Sequence, residues 1–495
     1  MRLNARTLGT LPDGVRRPRY DRAGLETGIV HIGLGAFHRA HQAVYTEDAL
    51  DRAFGPWGIC GVSLRSPETR DALAPQDDLY TVLVRDAGGE RARVVGSVTE
   101  SLVAPEDPAA VLERLVRPSV RVVTVTVTEK GYCHEPATGA LDERHPGIVA
   151  DIANPGAPQT LPGFLVEALA RRRAAGTAPF TVLSCDNLPE NGVVTAGILR
   201  RFAELRDPAL ARWIEDGVAC PSSMVDRIVP ATTAEDRAAV ARLLGVEDAW
   251  PVVTEPFSQW VIEDRFPAGR PAWETVGAEL TADVRPFERM KLRLLNASHS
   301  CMAYLGYLSG YETVAQTIAD PAFARFVAGL MDAEVTPTLA MPAGVDLAGY
   351  KAALLRRFAN PALKHRTWQI AMDGSQKLPQ RLLGTIADRL AAGAPIDRLA
   401  LGVAGWMRYV SGTDEQGRPI DVRDPLAARL RALADEAGPS ASRLAPALLG
   451  VGDVFGGELP HHPEFVRAVT DSLDRLFTRG ARACVEAAAG EARTA

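Results

Sequence analysis

The sequence lacks features that membrane, secreted and nucleic-acid-binding proteins share. It has no uninterrupted run of about 18 apolar residues, the length that a membrane-spanning helix needs, and its first residues lack the apolar core of a secretion signal. The six cysteines are scattered without a C-x-x-C pair, as is typical of free thiols in a reducing compartment. The net charge is -6 and no basic block is present, which argues against nucleic acid or anionic membrane as a partner. We therefore expect a cytoplasmic protein.

The chain is too long for a single core, and its pattern changes near residue 284. With 495 residues it should form two or three domains. Strand-like and helical segments alternate up to residue 284, and long amphipathic helices follow. We predict an α/β Rossmann-type N-terminal domain over residues 1–284 and a mostly α-helical C-terminal domain over residues 285–495.

This fold prediction rests on short strand candidates in the first domain and on longer helices in the second. The strand candidates are short, apolar and rich in β-branched residues: 29–32, 58–64, 79–84, 121–128 and 180–184. Helical segments between them, 108–115 and 163–173, favour a doubly wound parallel sheet. The helices predicted for the second domain are 291–308, 321–340, 347–358, 376–392, 396–411, 425–436 and 463–479.

A glycine turn follows the first strand. Gly33 and Gly35 separate strand 29–32 from a helical pattern, so that the backbone can turn sharply and bind a pyrophosphate at the helix N-terminus. His38 replaces the third glycine of the G-x-G-x-x-G motif, and the spacing alone also fits an ordinary strand-to-helix turn. The second strand is followed by Arg65 and not by the carboxylate that commonly binds the NAD ribose, which leaves the choice between NAD and NADP open.

Polar residues that follow strands are candidates for a site, because parallel sheets bind ligands at the carboxyl ends of their strands. Asn187 follows strand 180–184, where it is either an Asx-turn residue or an amide donor at the sheet edge. Cys133 and His134 are adjacent, but no second ligand pair accompanies them, so we do not expect a zinc site.

The segment 285–310 is predicted to be one buried helix with a polar face. At 100° per residue, Glu288, Lys291, Asn296 and His299 lie on an arc of about 140°. A buried lysine is costly, so one interpretation is that Lys291 acts as a base beside an amide and an imidazole. The other is that it lies at a helix end and extends to water, while Asn296 and His299 bond to neighbouring groups.

Six stretches together resemble the polyol-specific long-chain dehydrogenases, the mannitol dehydrogenase family. They are IVHIGLGAFHRAHQAVY (29–45), TEKGY (128–132), SCDNLPENG (184–192), MVDRIVP (224–230), EPFSQWVIED (255–264) and KLRLLNASH (291–299). The similarity extends over essentially the whole chain, and K-x4-N-x2-H together with V-D-R-I-x-P is highly specific. A sensor that has lost catalysis would have no need of a buried lysine.

The resemblance implies a hydride transfer that depends on NAD and needs no metal, with NADP not excluded. Lys291 would be the general base, Asn187 and Asn296 would hold the reacting oxygen, His299 would orient the substrate and Glu288 would control proton exchange with solvent. Asp226 would lie near the substrate. The residues implied to hold the dinucleotide are Ile32, Gly33, Leu34, Gly35, Ala36, Phe37, His38 and Arg39.

Within the family, TEKGYCH (128–134) and HRTWQIAMDGSQKLPQR (365–381) are most similar to the fructuronate reductases, which interconvert D-mannonate and D-fructuronate. His365, Arg366 and Lys377 would then supply charge for the substrate carboxylate. The alternative substrate is a neutral polyol such as mannitol, arabinitol or sorbitol. We expect a monomer or a small homo-oligomer.

Overall fold

The computed structural model describes residues 1–135 and 138–490, and the chain divides into two compact units, Met1–Arg285 and Pro286–Ala495. The predicted boundary after residue 284 lies one residue from this division. Residues 136–137 and 491–495 of the two predicted domains lie outside the described part. The predicted fold class is confirmed: the first unit is a Rossmann-type α/β unit, and the described residues of the second form helices without strands.

The strands of the described chain all belong to the first unit. They are β1 Thr27–Ile32, β2 Gly58–Ser63, β3 Tyr80–Asp86, β4 Gly89–Val95, β5 Val98–Val103, β6 Val122–Val125, β7 Thr181–Ser184, β8 Ser223–Asp226, β9 Val252–Thr254, β10 Gln259–Glu263 and β11 Glu279–Thr281.

A parallel sheet with the order β5-β2-β1-β6-β7 forms the centre of the first unit. Val30 and Ile32 of β1 pack into one core and Ile29 packs into another, because successive side chains of a strand point to opposite faces. Both faces are therefore covered. The strand order reverses between β1 and β6, so the carboxyl ends of these two strands flank the crevice where doubly wound sheets bind ligands.

The predicted strand 79–84 is observed as a strand, but it does not belong to the parallel sheet. This segment, observed as β3, forms a hairpin with β4 and pairs in parallel with β9, in a separate three-stranded sheet. Gly89, with a φ of 125°, begins β4 directly after the tight connection from β3. A third sheet has the order β11-β10-β8. The apolar pattern indicated a strand, but the choice of partner depends on residues far away in the chain.

The helices of the first unit alternate with its strands along the chain, and several of them pack against the parallel sheet. They are α1 Ala36–Ala40, α2 Gln42–Arg52, α3 Glu68–Leu73, α4 Pro108–Val116, α5 Pro146–Ala153, α6 Leu161–Ala174, α7 Asn191–Arg206, α8 Pro208–Gly217 and α9 Ala234–Leu244. Short 3₁₀ helices occur at Leu8–Thr10, Ala74–Gln76, Glu129–Tyr132 and Trp273–Val276.

The second unit is a cluster of α-helices. They are α10 Arg285–Met290, α11 Ala297–Leu308, α12 Val314–Ala319, α13 Pro321–Gly329, α14 Leu347–Phe358, α15 Thr367–Ala371, α16 Gly374–Leu378, α17 Gly384–Ala391, α18 Asp397–Val410, α19 Ala427–Ala437, α20 Ala441–Leu449, α21 Gly452–Phe455, α22 Pro463–Arg479 and α23 Ala481–Gly490. Its 3₁₀ helices are Thr336–Thr338, Pro361–Leu363 and Leu459–His461.

Three segments of the second unit are π-helical, and the sequence analysis predicted none of them. They are π1 Lys291–Asn296, π2 Leu330–Val335 and π3 Pro379–Leu383. The predicted helices 321–340 and 376–392 are therefore interrupted. For the second of these a local cause is visible: Pro379 has no N–H to donate and disturbs the hydrogen bonds of the preceding turn. The segment π1 packs against both π2 and π3.

The glycine turn after β1 has a conformation that other residues rarely adopt. Gly33 has a φ of 102°, and a Cβ atom at this position would lie 2.0 Å from the carbonyl oxygen of Thr126. The N–H of Gly33 donates to the carbonyl of Val62 on the neighbouring strand. The turn is thus held between β2 and the end of β6, and it requires glycine at its first position.

The substitution Gly33→Ala should destabilise the first unit by several kcal/mol, since it adds both backbone strain and a steric clash with backbone. We expect a decrease in Tm of at least about 5 °C by differential scanning calorimetry. The control is Gly14→Ala, because Gly14 is exposed and a Cβ there would meet nothing within 4 Å. Equal Tm values for the two variants would contradict the role of Gly33.

Candidate active site

The carboxyl ends of β6 and β7 are joined by one half-buried carboxylate. Asp186 accepts hydrogen bonds from the backbone N–H groups of Val127 (3.0 Å) and Thr128 (2.9 Å) and from the hydroxyl of Tyr132 (2.8 Å). Burial raises the pKa of Asp186 to about 6. Thr128 has a φ of 63°, a strained conformation for a β-branched residue, which these bonds stabilise. Asp186 therefore fixes the loop that follows β6.

The side chain of a buried histidine contacts the glycine turn. His31, in the middle of the sheet, has its Nδ1 2.8 Å from the Thr124 hydroxyl and its Nε2 3.0 Å from the Gly33 carbonyl oxygen. Its ring stacks on that of His38 with a centroid distance of 3.3 Å. Burial lowers the pKa of His31 to about 3, so that the ring is neutral.

The predicted cofactor-binding residues lie in one continuous segment, and they differ in where their side chains are directed. Ile32 ends β1, residues 33–35 form the turn, and residues 36–39 begin α1. The side chains of His38 and Arg39 are buried. The guanidinium of Arg39 donates to the carbonyl of Trp250, and burial lowers its pKa to about 10. These two side chains therefore pack inside the unit, which leaves the backbone of the turn as the part available to a ligand.

The turn fits a dinucleotide. Gly35, the N-cap of α1, has no side chain that could satisfy the first N–H groups of the helix. A Cβ on Gly35 would meet only the Gly33 carbonyl, at 3.6 Å, so the turn is open at this residue. Uncapped N–H groups at the reversal point of a doubly wound sheet are suited to a pyrophosphate. In this arrangement residues 33–36 would hold the phosphates through their backbone.

The predicted catalytic residues are divided between the two units. In the first unit, Asn187 is exposed and directly follows Asp186, at the carboxyl end of β7. Asp226, predicted to lie near the substrate, ends β8 in a different sheet, where it is buried opposite Gln259. The position of Asn187 agrees with an amide presented at the sheet edge.

Lys291 and Asn296 lie at the two ends of π1. The N–H of Ala297 donates to the carbonyl of Leu292, which is the i→i+5 bond of a π-helix. In a regular α-helix, residues five apart diverge by about 140° around the axis. The wider π turn brings positions 291 and 296 closer to one face, so the arc calculated for a regular helix does not apply across this segment. Lys291 is buried, with 7% of its surface exposed, and Asn296 is half-buried.

His299 lies one turn after Asn296 in a region of positive charge. Its ring packs against Phe358 (centroid distance 4.8 Å) and, edge to face, against His365 (5.3 Å). Burial lowers the pKa of His299 well below its ordinary value, and His365, Arg381 and Arg357 lower it further. Both imidazoles are neutral, because burial together with Lys377 also lowers the pKa of His365, to about 4.

The remaining predicted site residues of the second unit have different surroundings. Glu288 is half-buried in α10, three residues before Lys291. The ammonium of Lys377 donates to the backbone carbonyls of Ile370 and Met372. Arg366 forms an ion pair with Glu312 (2.7 Å), and its side chain is 43% exposed. The structure thus brings His299 and His365 into contact and places Arg366 on the surface.

Both units match known proteins. Residues 27–275 match the family model described as the mannitol dehydrogenase Rossmann domain, and residues 283–477 match the mannitol dehydrogenase C-terminal domain. The chain belongs to the mannitol dehydrogenase family. The predicted resemblance is thereby confirmed, and the protein is an oxidoreductase of this family.

Relatives in the mannitol dehydrogenase family match along almost the whole chain. The uncharacterized oxidoreductase YeiQ of Escherichia coli (strain K12) is 52% identical, over 95% of this chain and 96% of that protein. The D-mannonate oxidoreductase of the same organism is 50% identical, over 96% of this chain and 98% of that protein. Mannitol 2-dehydrogenase of Pseudomonas fluorescens, solved as a ternary complex with NAD and D-mannitol, is 42% identical. The two structures match with a TM-score of 0.90 over 98% of this chain and 99% of that chain.

The described residues contain neither a membrane-spanning helix nor a cluster of metal ligands. No helix there is both long and apolar enough to cross a membrane. Within residues 1–135 and 138–490, no three His, Cys, Asp or Glu side chains group together as ligands for a metal ion.

The sequence analysis missed three residues that support the predicted ones: Asp186 and His31 in the first unit, and Arg381 in the second. A signal was present for two of them, since Asp186 directly precedes Asn187 and a histidine inside a buried strand requires hydrogen-bond partners. Arg381 gave no local signal, because its neighbour Ser300 is far away in the chain.

The buried histidines should make the protein unstable in mild acid. The folded-state pKa is about 3 for His31 and about 4 for His365, whereas an unfolded histidine titrates near 6.5. Between about pH 6.5 and pH 4 the unfolded chain therefore binds protons that the folded chain excludes. Stability should fall as the pH decreases, by about 1.4 kcal/mol per pH unit and per histidine.

The measurement is urea unfolding from pH 8 to pH 4.5. His31→Gln should lower stability at pH 8 but reduce the slope against pH by about one proton. The exposed His461 provides the control variant His461→Gln, which should keep the parent slope. An unchanged slope in His31→Gln would contradict the assignment of His31 as a neutral buried group.

Proposed function

We propose that this protein is an NAD-dependent dehydrogenase that interconverts D-mannonate and D-fructuronate without a metal ion. The observation that carries the reaction class is the buried Lys291 at one end of π1, with Asn296 at the other end. The substrate class is supported by the 50% identity with a D-mannonate oxidoreductase. NADP is the second cofactor to be tested.

Oxidation of a secondary alcohol requires removal of the hydroxyl proton as hydride leaves the carbon. We propose that the amine of Lys291 accepts this proton. A base of this kind needs a pKa close to the working pH, and an apolar environment lowers the pKa of an amine because it favours the neutral form. The amide groups of Asn187 and Asn296 would donate hydrogen bonds to the reacting oxygen. Donors of this kind contribute about 3–4 kcal/mol to barrier lowering in comparable sites.

The proposed proton path continues from Lys291 to Glu288, one helical turn earlier, and from there to solvent. His299 is neutral, so that its ring can orient a substrate hydroxyl without adding a charge. The dinucleotide, held by the backbone of residues 33–36, supplies the hydride acceptor when it is bound. The strained loop at Thr128 and the adjacent Asn187 would be kept in place by Asp186.

Three side chains were predicted to recognise the substrate carboxylate, and we retain two as proposed contacts. His365 lies against His299, and Lys377 contributes a positive charge close to it. Arg366 is paired with Glu312, so a substrate carboxylate would have to compete for it. Asp226, buried in the first unit, is proposed to act near the substrate hydroxyls.

The second candidate is a mannitol 2-dehydrogenase or a related arabinitol or sorbitol dehydrogenase. It is favoured by the structural similarity to the mannitol 2-dehydrogenase of P. fluorescens, with a TM-score of 0.90. A neutral polyol would not use the positive charge around His299. The two candidates therefore differ in whether charge contributes to substrate binding.

Steady-state NADH oxidation with D-fructuronate and with D-fructose tests the substrate. We expect kcat/KM to be at least about 100-fold higher for fructuronate, a difference of about 2.7 kcal/mol at the transition state. The rates should be the same with and without EDTA. A preference for fructose would replace the proposed substrate by the polyol alternative, and a loss of activity in EDTA that zinc restores would contradict the metal-independent mechanism.

The substitution Lys291→Ala should reduce kcat by about 10²- to 10⁴-fold, which is the usual contribution of a general base. The Kd for NADH, measured by fluorescence titration, should change by less than a factor of three. Arg289→Ala is the matched control, because Arg289 is an exposed residue of the same helix and should be replaceable without effect. Retention of normal kcat by Lys291→Ala would exclude Lys291 as the base.

A further inference from the structure

Tyr132 is a fully buried tyrosine whose hydroxyl lies between two polar side chains at the carboxyl end of β7. Its ring belongs to the core on one face of the parallel sheet. The hydroxyl oxygen lies 2.5 Å from Oγ of Ser184 and 2.8 Å from Oδ2 of Asp186. A phenylalanine would fill the same space without a polar atom that has to be satisfied. The hydroxyl therefore does something that packing alone does not require.

The direction of these hydrogen bonds follows from the charge of Asp186. Burial raises the pKa of Asp186 only to about 6, so the group is a carboxylate at neutral pH and accepts from the Tyr132 hydroxyl. The single proton of Tyr132 is then used, and the Ser184 hydroxyl has to donate to Tyr132. Ser184 in turn accepts a long bond, 3.5 Å, from the backbone N–H of Asp186. The three residues thus form a closed ring of hydrogen bonds, with the carboxylate as its acceptor.

The ring holds the loop after β6 at both of its ends. Tyr132 is the last residue of the 3₁₀ helix in this loop, and the residues on either side of the helix have positive φ values, 63° at Thr128 and 51° at Cys133. Such conformations cost energy for residues other than glycine. Asp186 binds the start of the loop through the N–H of Thr128 (2.9 Å) and its end through the Tyr132 hydroxyl. One carboxylate therefore fixes both ends.

Asn187 directly follows this ring, and the chain is anchored on both sides of it. The carbonyl of Asp186 accepts a hydrogen bond from Nδ2 of Asn191 (3.1 Å). Asn191 is itself bonded to Ser223 of β8, from its Nδ2 to the carbonyl (2.8 Å) and from the N–H to its Oδ1 (3.0 Å). On the other side of Asn187, Leu188 is buried in the core. The point from which Asn187 extends is thus determined by how Asp186 is held.

We propose that Tyr132 is a positioning residue: through Asp186 it keeps the amide of Asn187 in the geometry that stabilises the reacting oxygen. This inference rests on the role proposed for Asn187. A donor to a reacting oxygen has to be aimed within a narrow range of distance and angle, and a displacement of about 1 Å can cost about 10²-fold in rate. Without the Tyr132 hydroxyl, the carboxylate of Asp186 would lose one donor and the end of the loop would lose its attachment.

The test introduces Tyr132→Phe into the parent enzyme and into an Asn187→Ala enzyme. Turnover is measured by NADH oxidation with whichever ketose the parent reduces faster, D-fructuronate or D-fructose. In the parent, Tyr132→Phe should lower kcat at least about 10-fold and leave KM and the Kd for NADH within about twofold, since the amide acts in the transition state. In the Asn187→Ala enzyme the same substitution should change kcat by less than about twofold, because the group that it positions is already absent.

Tyr20→Phe is the matched control. The hydroxyl of Tyr20 also donates to a carboxylate of the first unit, Oε2 of Glu47, at 2.7 Å. Glu47, like Asp186, accepts backbone N–H groups as well, those of residues 96 and 97. Tyr20→Phe therefore breaks the same kind of hydrogen bond at another place, and kcat should stay within about twofold of the parent value.

Hydrogen exchange measured by mass spectrometry gives a readout that needs no turnover. The N–H groups of Val127 and Thr128 donate to Asp186, so they should exchange at least about 10-fold faster in Tyr132→Phe. In Tyr20→Phe they should exchange at the parent rate.

Three outcomes would overturn the inference: a normal kcat in Tyr132→Phe, an equal loss of kcat with and without Asn187, or unchanged exchange of the loop. The failure of the proposed function is recognised separately, in Asn187→Ala alone, which should be about 10²-fold slower than the parent. A normal kcat in Asn187→Ala would remove the proposed role of the amide and the inference with it. If Asn187→Ala is slow and Tyr132→Phe is as fast as the parent, only the inference fails.

Discussion

The proposed chemistry of the second unit depends on one irregularity of backbone hydrogen bonding. The N–H of Ala297 bonds to the carbonyl of Leu292, five residues earlier, inside an otherwise α-helical run. The residues at the ends of π1, Lys291 and Asn296, thereby come closer to one face of the helix than a regular helix would allow. The poorer geometry of a π-helix has to be offset by packing, and π1 is packed against π2 and π3.

In the first unit, polar side chains stabilise the backbone conformations at the edge of the sheet. The parallel sheet brings the glycine turn and the loop at Thr128 to the same edge; both have positive φ values, which glycine adopts freely at Gly33 but which cost energy at Thr128. His31 stabilises the turn through its contact with the Gly33 carbonyl oxygen, and Asp186 stabilises the loop by accepting a hydrogen bond from the N–H of Thr128. Burial lowers the pKa of His31 to about 3, so that its ring is neutral, and it raises the pKa of Asp186 to about 6, while the carboxylate is compensated by the hydrogen bonds that it accepts from Val127, Thr128 and Tyr132.

Much of the fold could be predicted from the sequence where local signals agreed. The helix predicted over 463–479 is α22, which begins with Pro463 and is followed by Gly480 with a φ of 79°. Its buried side chains recur every three or four positions, at Phe465, Val469, Leu473 and Leu476. In contrast, α7 was not predicted because it begins with Asn191–Gly192, a typical turn signal. The Asn191 side chain bonds to the backbone of Asp186 and Ser223, and this tertiary contact overrides the local preference.

The sequence by itself determined the family, the two-part fold and the candidate residues Lys291, Asn187, Asn296 and His299, because specific motifs and hydrophobic periodicity are local properties of the chain. Only the tertiary structure decided the partner of β3, the π-helical segments and the surroundings of the site residues. The physical reason is sequence separation: Arg381 meets Ser300 across 81 residues, and Asp186 meets Thr128 across 58. Hydrogen bonds of this kind, and the burial that shifts the pKa values of His31 and His365, arise from packing between distant segments. The local pattern of residues can mark a candidate such as His31, but it does not identify the partner.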